Sequence, residues 1–271
     1  MRKILCTALI IISFTVCASA DDFKVGVLAQ LNMNEDEYRS FVLEGRKNVG
    51  FNFLSSGQES FIYYDSLLSL QMALNAREIQ EVQLPEIVAE YFINSNPKAY
   101  TVSGITQFRT TYLAFGFLDR NADLRDKFNS ALQSLKEDGT LSQLQEKYIL
   151  SSAKDDITPT KPEKFDGAGK IRVALTGDLP PIDYVTADGT PAGFNMAIIS
   201  EIGKRLKLNI EVINIEAGAR SAAVASRRAD VSFWYKGTKG VDNQPDIPEN
   251  IILSEPYYEW NKFLHIKLKK K

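Results

Sequence analysis

The sequence predicts an α/β fold, and the pattern is clearest after residue 170. Short apolar runs at residues 171–175, 210–215 and 230–234 predict strands. Helical patterns at residues 193–206 and 219–225 lie between them. Apolar strands without polar alternation are typical of a parallel sheet covered on both faces. The alternation of strands and helices therefore predicts parallel βαβ units.

The part of the chain before residue 150 has the same character. Residues 24–28 and 61–64 predict further strands, and residues 66–76 and 86–92 predict helices. Because both parts alternate between strands and helices, we expect one α/β molecule.

The strongest helical pattern covers residues 122–137. Asn121 is a candidate N-cap, and Gly139 is a candidate stop signal. The apolar side chains predicted to share one face of this helix are Leu124, Phe128, Leu132 and Leu135.

The N-terminus has the pattern of a secretory signal peptide over residues 1–20. Arg2 and Lys3 precede an apolar run, and the segment closes with small residues ending at Ala20. We expect the mature chain to begin at Asp21 and to be exported to the periplasm. A lipid anchor on Cys17 is the alternative.

Composition excludes several classes of function. The 32 Lys and Arg residues against 34 Asp and Glu residues give a net charge of -2, which argues against a nucleic-acid partner. Both cysteines, Cys6 and Cys17, lie in the predicted signal peptide, and His265 is the only histidine. We therefore expect no disulfide, no metal and no cofactor, and we expect His265 to be structural.

A polar stretch at residues 151–170 predicts a linker between two unequal parts. The part that follows contains IRVALTGDLPPIDYVTADGTPAGFNMAIIS, with a P-P turn, a D-G hairpin and a G-F pair before a helix. This pattern resembles the opening of family-3 bacterial extracellular solute-binding proteins. YYDSLLSLQMALNAREIQEVQLPEIVAEYF resembles the second lobe of that family, and RNADLRDKFNSALQSLKEDGTLSQLQEKY is similar to its closing helices.

The resemblance implies a two-lobed, type II periplasmic-binding-protein-like fold in circularly permuted order. In the family, the segment like IRVAL comes first and the D-G-T helix comes last, which is the reverse of the order here. We expect residues 21–105 to form lobe B, residues 106–150 the closing helices of lobe A, and residues 171–271 the opening part of lobe A. A truncated tandem binding protein is the alternative.

The permuted order also predicts how the lobes are joined. We expect one covalent crossing near residues 103–111, with the second crossing severed into the chain ends. Residues 257–268 would then finish as a strand of lobe A, and closure would be loosened. A monomer is expected, and a lobe-swapped dimer is the alternative.

Ligand contacts are expected outside the carboxyl ends of the strands, where open α/β sheets bind their ligands. This rule selects loops in both lobes. The candidate ligand-binding residues are Thr176, Asp178, Arg220, Trp234, Tyr235 and Lys236 in lobe A, and Asn32, Asn34 and Glu86 in lobe B.

The resemblance implies that the protein captures a small polar solute for the permease of an ABC importer. Amino acids and related compounds are the expected solutes. Two departures weigh on the amino-acid assignment: no arginine follows the third strand, and Pro85 stands where the family places an aspartate. Lys236 and Glu86 are candidate substitutes. An enzyme similar to cyclohexadienyl dehydratases is the alternative, with Asp178, Asp183 and Glu86 as the candidate acid or base groups.

Overall fold

The fold is described from a computed structural model, which describes residues 23–28, 59–150, 159–240 and 247–270. The predicted signal peptide, Asn32, Asn34 and the first eight residues of the predicted linker lie outside these ranges. Within the described ranges, no helix is long and apolar enough to cross a membrane.

One large mixed sheet of nine strands organises the described residues. Its strands are β1 Phe23–Leu28, β2 Glu59–Tyr64, β3 Glu81–Pro85, β4 Tyr100–Leu118, β5 Lys170–Leu175, β9 Asn209–Asn214, β10 Val231–Thr238, β11 Ile251–Leu253 and β12 Tyr258–Leu268. Eight of them follow the order β2-β1-β3-β12-β4-β10-β5-β9, and β11 pairs with β4. A small second sheet contains β6 Asp178–Leu179, β7 Asp183–Val185 and β8 Pro191–Ala192.

Helices follow the strands as the apolar patterns predict. They are α1 Leu67–Ala76, α2 Glu86–Ser95, α3 Ala122–Glu137, α4 Thr140–Gln145, α5 Phe194–Leu206 and α6 Arg220–Ala225. Asn121 occupies the N-cap position of α3, but its side chain makes no cap hydrogen bond to the described residues. Gly139 has a φ of 79° and ends the helical run, which is the conformation that favours glycine. The predicted α/β class is confirmed.

Two groups of parallel strands lie at opposite ends of the large sheet. β1 pairs in parallel with β2 and β3, and β5 pairs in parallel with β9 and β10. Between the groups, β12 runs antiparallel to both β3 and β4, and β10 runs antiparallel to β4. β3 and β10 therefore run in opposite directions.

The carboxyl ends of the two parallel groups face each other across a short gap. At the end of β3, Pro85 aligns with Phe263, which aligns with Thr106 of β4. At the end of β10, Thr238 aligns with Thr111 of β4. Only residues 107–110 of β4 separate these two positions. The described residues that follow β3 and β10 consequently open toward one shared space.

A single large hydrophobic core joins the segments on either side of the predicted linker. Phe115 of β4 is fully buried, with ring centroids 5.4 Å from Phe128, 5.1 Å from Phe233 and 4.8 Å from Tyr257. The same cluster contains apolar side chains of α3, α5 and β5. Residues 171–234 thus pack directly against α3.

The structure corrects the expected end of β12. Tyr258 and Trp260 pair with Leu113 and Thr111, as expected for lobe A, but the strand continues until Phe263 and Ile266 pair with β3. Two strands, β4 and β12, therefore connect the groups, and the expected single crossing is wrong. At about 3.3 Å per residue, eleven residues of β12 reach about 35 Å, which is long enough to take part in both groups.

Gly193 precedes α5 at a place where the backbone leaves no room for a side chain. Its φ is 102°, and an added Cβ would lie 2.6 Å from the carbonyl oxygen of Ile182 and 2.8 Å from that of Pro181. Replacing Gly193 with alanine is expected to lower the free energy of unfolding by at least about 3 kcal/mol, from backbone strain and overpacking together.

Urea unfolding measures this loss, and Gly189→Ala is the matched control. Gly189 has a φ of 83°, but an added Cβ would meet none of the described atoms within 4 Å. Its alanine variant should lose only the roughly 1–2 kcal/mol of conformational strain. Equal losses in the two variants would contradict the close backbone approach.

Candidate functional site

The candidate site is the space between the opposed carboxyl ends of the two strand groups. From one side it receives the loop after β5, the start of α6 and the last residues of β10. From the other side it receives the start of α2, which follows β3 directly. These are the positions at which open α/β sheets present loop amides and side chains to a ligand.

Asp183 organises the loop after β5. Its Oδ1 accepts a hydrogen bond from the Gly177 amide at 2.9 Å, and its Oδ2 accepts from the Thr176 amide and the Thr176 hydroxyl at 3.3 Å each. The side chain is completely buried. Burial raises the pKa of Asp183 to about 7, the nearby charge of Asp178 acts in the same direction, and the hydrogen bonds from Thr176 and Gly177 act against them.

Asp178 offers an acceptor that the described residues leave unused. It starts β6, and its buried Oδ1 has no hydrogen-bond partner among the described residues. Burial raises the pKa of Asp178, whereas hydrogen bonding with Thr176 and the positive charge of Arg220 lower it. A buried carboxylate oxygen without a partner is costly, so a donor at this position would be stabilising.

Arg220 lies close enough to Asp178 for their charges to interact. It is the first residue of α6 and is only 1% exposed. The structure places this candidate side chain in the interior rather than in solvent. Thr176, Asp178 and Arg220 are thus brought together.

Glu86 stands on the opposite side of the gap, as the first residue of α2. Its carboxylate lies 3.5 Å from Nζ of Lys262. Burial raises the pKa of Tyr258 to about 12, and the negative charges of Glu86 and Glu90 contribute to this rise. Glu86 therefore lies near β12, at the boundary between the two strand groups.

The remaining predicted residues are placed less fully. Lys236 aligns with Leu113 of β4 near the end of β10. Trp234 and Tyr235 are located in β10 by their backbone, beside a register shift between Ser232 and Tyr235. The contacts predicted for Asn32 and Asn34 lie outside the described residues and stay predictions.

Aromatic side chains that the site prediction omitted lie along the same boundary. The Tyr258 ring stacks on Trp260 with centroids 6.1 Å apart and meets the Phe194 ring edge-on at 5.9 Å. Burial raises the pKa of Tyr184, and Tyr91 of α2 is close enough to contribute. The only sequence signal for these contacts was the aromatic run near residue 258. From the sequence alone, this run is interpreted as part of a strand and not as part of the site.

The chemistry of the site favours recognition. Asp183 is the carboxyl group whose pKa best suits proton transfer, but it is completely buried and its oxygens accept hydrogen bonds from the loop. A general acid or base must reach its substrate directly or through one water. In the described ranges, no group of three or more His, Cys, Asp or Glu side chains is placed to hold a metal.

Two surface grooves are lined without residues of the β5 loop or of α6. One is lined by residues 160–162 together with residues of β8 and β9, and the other by residues of α4 and residues 256–259. Neither contains Thr176, Asp178 or Arg220. The polar side chains that converge at the strand ends identify the candidate site better than these grooves do.

Two groups of parallel strands whose carboxyl ends share one space place this chain among the α/β proteins, whose open sheets present loops to ligands at that edge. The family comparison is more particular. Residues 171–268 match the model of bacterial extracellular solute-binding proteins, family 3. The resemblance to that family is confirmed over this range. A search of curated proteins found no match.

Solved structures of transport components show a weaker likeness. The ligand-binding component of an ABC-type import system from Staphylococcus aureus has 8% identity and a TM-score of 0.44, over 90% of this chain and 65% of that one. PhnD1 from Prochlorococcus marinus, in complex with methylphosphonate, has 11% identity and a TM-score of 0.45, over 90% of this chain and 75% of that one. The substrate-binding domain of a putative molybdenum ABC transporter from Clostridium difficile has 13% identity and a TM-score of 0.43, over 92% of this chain and 85% of that one.

The chain spans about two thirds of the length of the Staphylococcus aureus protein. With TM-scores below 0.5, these similarities say nothing about the solute of this chain.

Proposed function

We propose that this chain is an exported solute-binding protein that captures a small polar solute between its two strand groups and delivers it to the permease of an ABC importer. The observation that carries the proposal is the opposition of the carboxyl ends of β3 and β10 across residues 107–110. The family match over residues 171–268 supports it. We propose a periplasmic monomer, released by signal-peptide cleavage, that performs no catalytic step.

An amino acid or a related compound is the solute that the charges fit best. Asp178 supplies an unused buried acceptor on one side, and Glu86 supplies a carboxylate on the other. Both suit a donor-bearing group such as an ammonium. Arg220 and Lys236 are the nearby cations of the β5-β9-β10 group, and an arginine can take a carboxylate in a bidentate way.

Circular permutation is the arrangement of the chain that we propose. Val25 at the start of β1 aligns with Glu81, and Ile266 near the end of β12 aligns with the neighbouring Val82. The start of β1 and the end of β12 therefore flank the same end of β3, about 10 Å apart. A short connection there would restore the family order. The single core shared by α3 and α5 favours this reading over a truncated tandem protein.

The lobes that we propose have boundaries that differ from those expected from the sequence. Lobe B comprises β1, β2, β3, α1 and α2 with the adjoining ends of β4 and β12. Lobe A comprises the remaining described elements, and residues 151–170 join its two parts.

A thermal-shift screen of amino acids and other small polar solutes tests the function. We expect at least one solute to raise the Tm by mass action and to bind in a one-to-one ratio by calorimetry. Asp178→Asn should weaken that solute about 10-fold or more, because it removes a charged acceptor. Trp234→Ala and Asn32→Ala are also expected to weaken it without loss of the fold.

Asp188→Asn is the control for the binding experiment. Asp188 lies in the exposed hairpin between β7 and β8 and bonds only locally, to Thr186 and Thr190, in the described contacts. Its variant should bind like the natural chain. The proposal fails if no solute in a broad screen raises the Tm, and the site assignment fails if Asp178→Asn binds with unchanged affinity.

A further inference from the structure

We infer that Asp183 is an internal anion that occupies the amide donors at the carboxyl end of β5, and that it thereby selects against solutes which would place an oxyanion there. The Thr176 and Gly177 amides and the Thr176 hydroxyl form what we call the amide pocket. Occupation of this pocket is a property of the chain itself. The selection against oxyanions rests on the proposed solute-binding function.

The geometry of the amide pocket is that of a small anion site. Two successive backbone amides and one hydroxyl converge on the two oxygens of a single carboxylate, at 2.9 to 3.3 Å. Gly177 has a φ of 74°, a backbone conformation that favours glycine in this loop. Successive amides arranged in this way form the concavities that bind anions in many proteins.

The occupant comes from the chain itself because of how the turn is built. Asp178 and Leu179 of β6 pair with Tyr184 and Asp183 of β7, which folds Asp183 back against the end of β5. Asp183 is completely buried there. Without this carboxylate, the partly buried Thr176 and Gly177 amides would lose their hydrogen-bond acceptor, which is costly.

The charges around the amide pocket oppose a second anion. The groups that face Asp183 are Asp178, whose negative charge raises the Asp183 pKa, and the donors that lower it. Arg220 is the cation whose positive charge acts on Asp178. A sulfate, phosphate or phosphonate that approached the β5 loop would meet the Asp178 carboxylate and find the amide donors already taken.

This arrangement defines the class of solute that the β5 side of the site accepts. The Oδ1 atom of Asp178 lacks a partner among the described residues, and the Thr176 and Gly177 amides are bonded to Asp183, so this side offers an acceptor. It should accept an ammonium, amide or hydroxyl group. A carboxylate on the same solute must be held elsewhere, with Arg220 or Lys236 as the candidates.

Chemical rescue tests the amide pocket without any solute. Asp183→Ala should lower the Tm by at least about 4 °C, because it leaves the partly buried Thr176 and Gly177 donors without their acceptor. Formate or acetate at about 100 mM should restore at least half of that loss in the variant and leave the natural chain unchanged. Asp188→Ala is the matched control, and its Tm should not respond to either anion. A folded Asp183→Ala variant that neither anion stabilises would overturn the inference.

The natural chain provides a second test if Asp183→Ala does not fold. In a pH titration followed by NMR, the Gly177 amide proton should shift with the same midpoint as the Asp183 carboxyl carbon, because the two groups share a hydrogen bond. The Asp188 carboxyl should titrate without moving the Gly177 resonance. An unmoved Gly177 amide would equally overturn the inference.

Selection is tested by comparing solutes. Sulfate, phosphate and methylphosphonate should not raise the Tm of the natural chain, and at least one of them should bind Asp183→Ala at least 10-fold more tightly. Tight oxyanion binding by the natural chain would refute the selection. If no solute of any class binds but formate still rescues Asp183→Ala, the proposed function is wrong and the filled amide pocket stands.

Discussion

Ending the chain after Lys262 is expected to abolish the cooperative fold. The change removes the part of β12 that lies between β3 and β4 and pairs with both. Ile266 in this part is completely buried. Its loss would leave two unpaired strand edges in the middle of the sheet and expose the core of the β1-β2-β3 group. We expect insoluble or unfolded protein rather than a modest loss of stability.

Circular dichroism and urea unfolding of the purified chain measure this effect. The matched control ends after Leu268, which removes only Lys269, Lys270 and Lys271. Among the described contacts of these lysines, Lys269 bonds to the carbonyl oxygens of Ala99 and Pro97. The control should keep a cooperative transition. A folded monomer that ends at Lys262 and has an unchanged urea m-value would show that β12 is dispensable, against the register described here.

Replacing Phe115 with alanine is expected to lower the free energy of unfolding by about 3–5 kcal/mol. The ring is completely buried and contacts three aromatic rings, those of Phe128, Phe233 and Tyr257. These rings belong to α3, β10 and the segment before β12. Since these rings come from both sides of the predicted linker, we expect a single unfolding transition that moves to lower urea concentration.

Urea unfolding followed by both fluorescence and circular dichroism checks this prediction. Ile105→Ala is the matched control, because Ile105 lies on the same strand and is 64% exposed. Its loss should stay below about 1 kcal/mol. Two separate transitions, of which only one moves in Phe115→Ala, would support a truncated tandem protein over a single permuted one.

The sequence predicts most of the elements but not how β4 and β12 are shared. Strands β5, β9 and β10 and helices α3 and α5 follow from apolar runs and 3.6-residue periodicity, which are local signals. β4 extends over residues 100–118, where the sequence suggested only a crossing. Whether such a segment serves one strand group or two depends on pairing partners distant in the chain, and periodicity carries no information about them.

The candidate site was predictable only as a set of loops. The rule that ligands bind at the carboxyl ends of strands selected Thr176 and Asp178, and the structure keeps both at the site. It also shows that the Thr176 amide and hydroxyl bond to Asp183, so they are not available to a solute. Burial of a carboxylate becomes favourable only when several donors converge on it, and that convergence arises from the folded hairpin.

The pairing of β4 with β12 sets the mechanics of any closing motion. A lone peptide connection between two bodies would allow twisting about several backbone torsions at once. Two strands that are hydrogen-bonded side by side resist twisting and bend most readily where their ladder is irregular. This ladder has register shifts between Trp260 and Lys262 and between His265 and Ile266, and the first of them lies between the two strand groups. Opening and closing of the proposed lobes should therefore follow nearly one degree of freedom. The opposed surfaces would then meet in the same alignment each time, and little orientational entropy would be lost when a solute is enclosed.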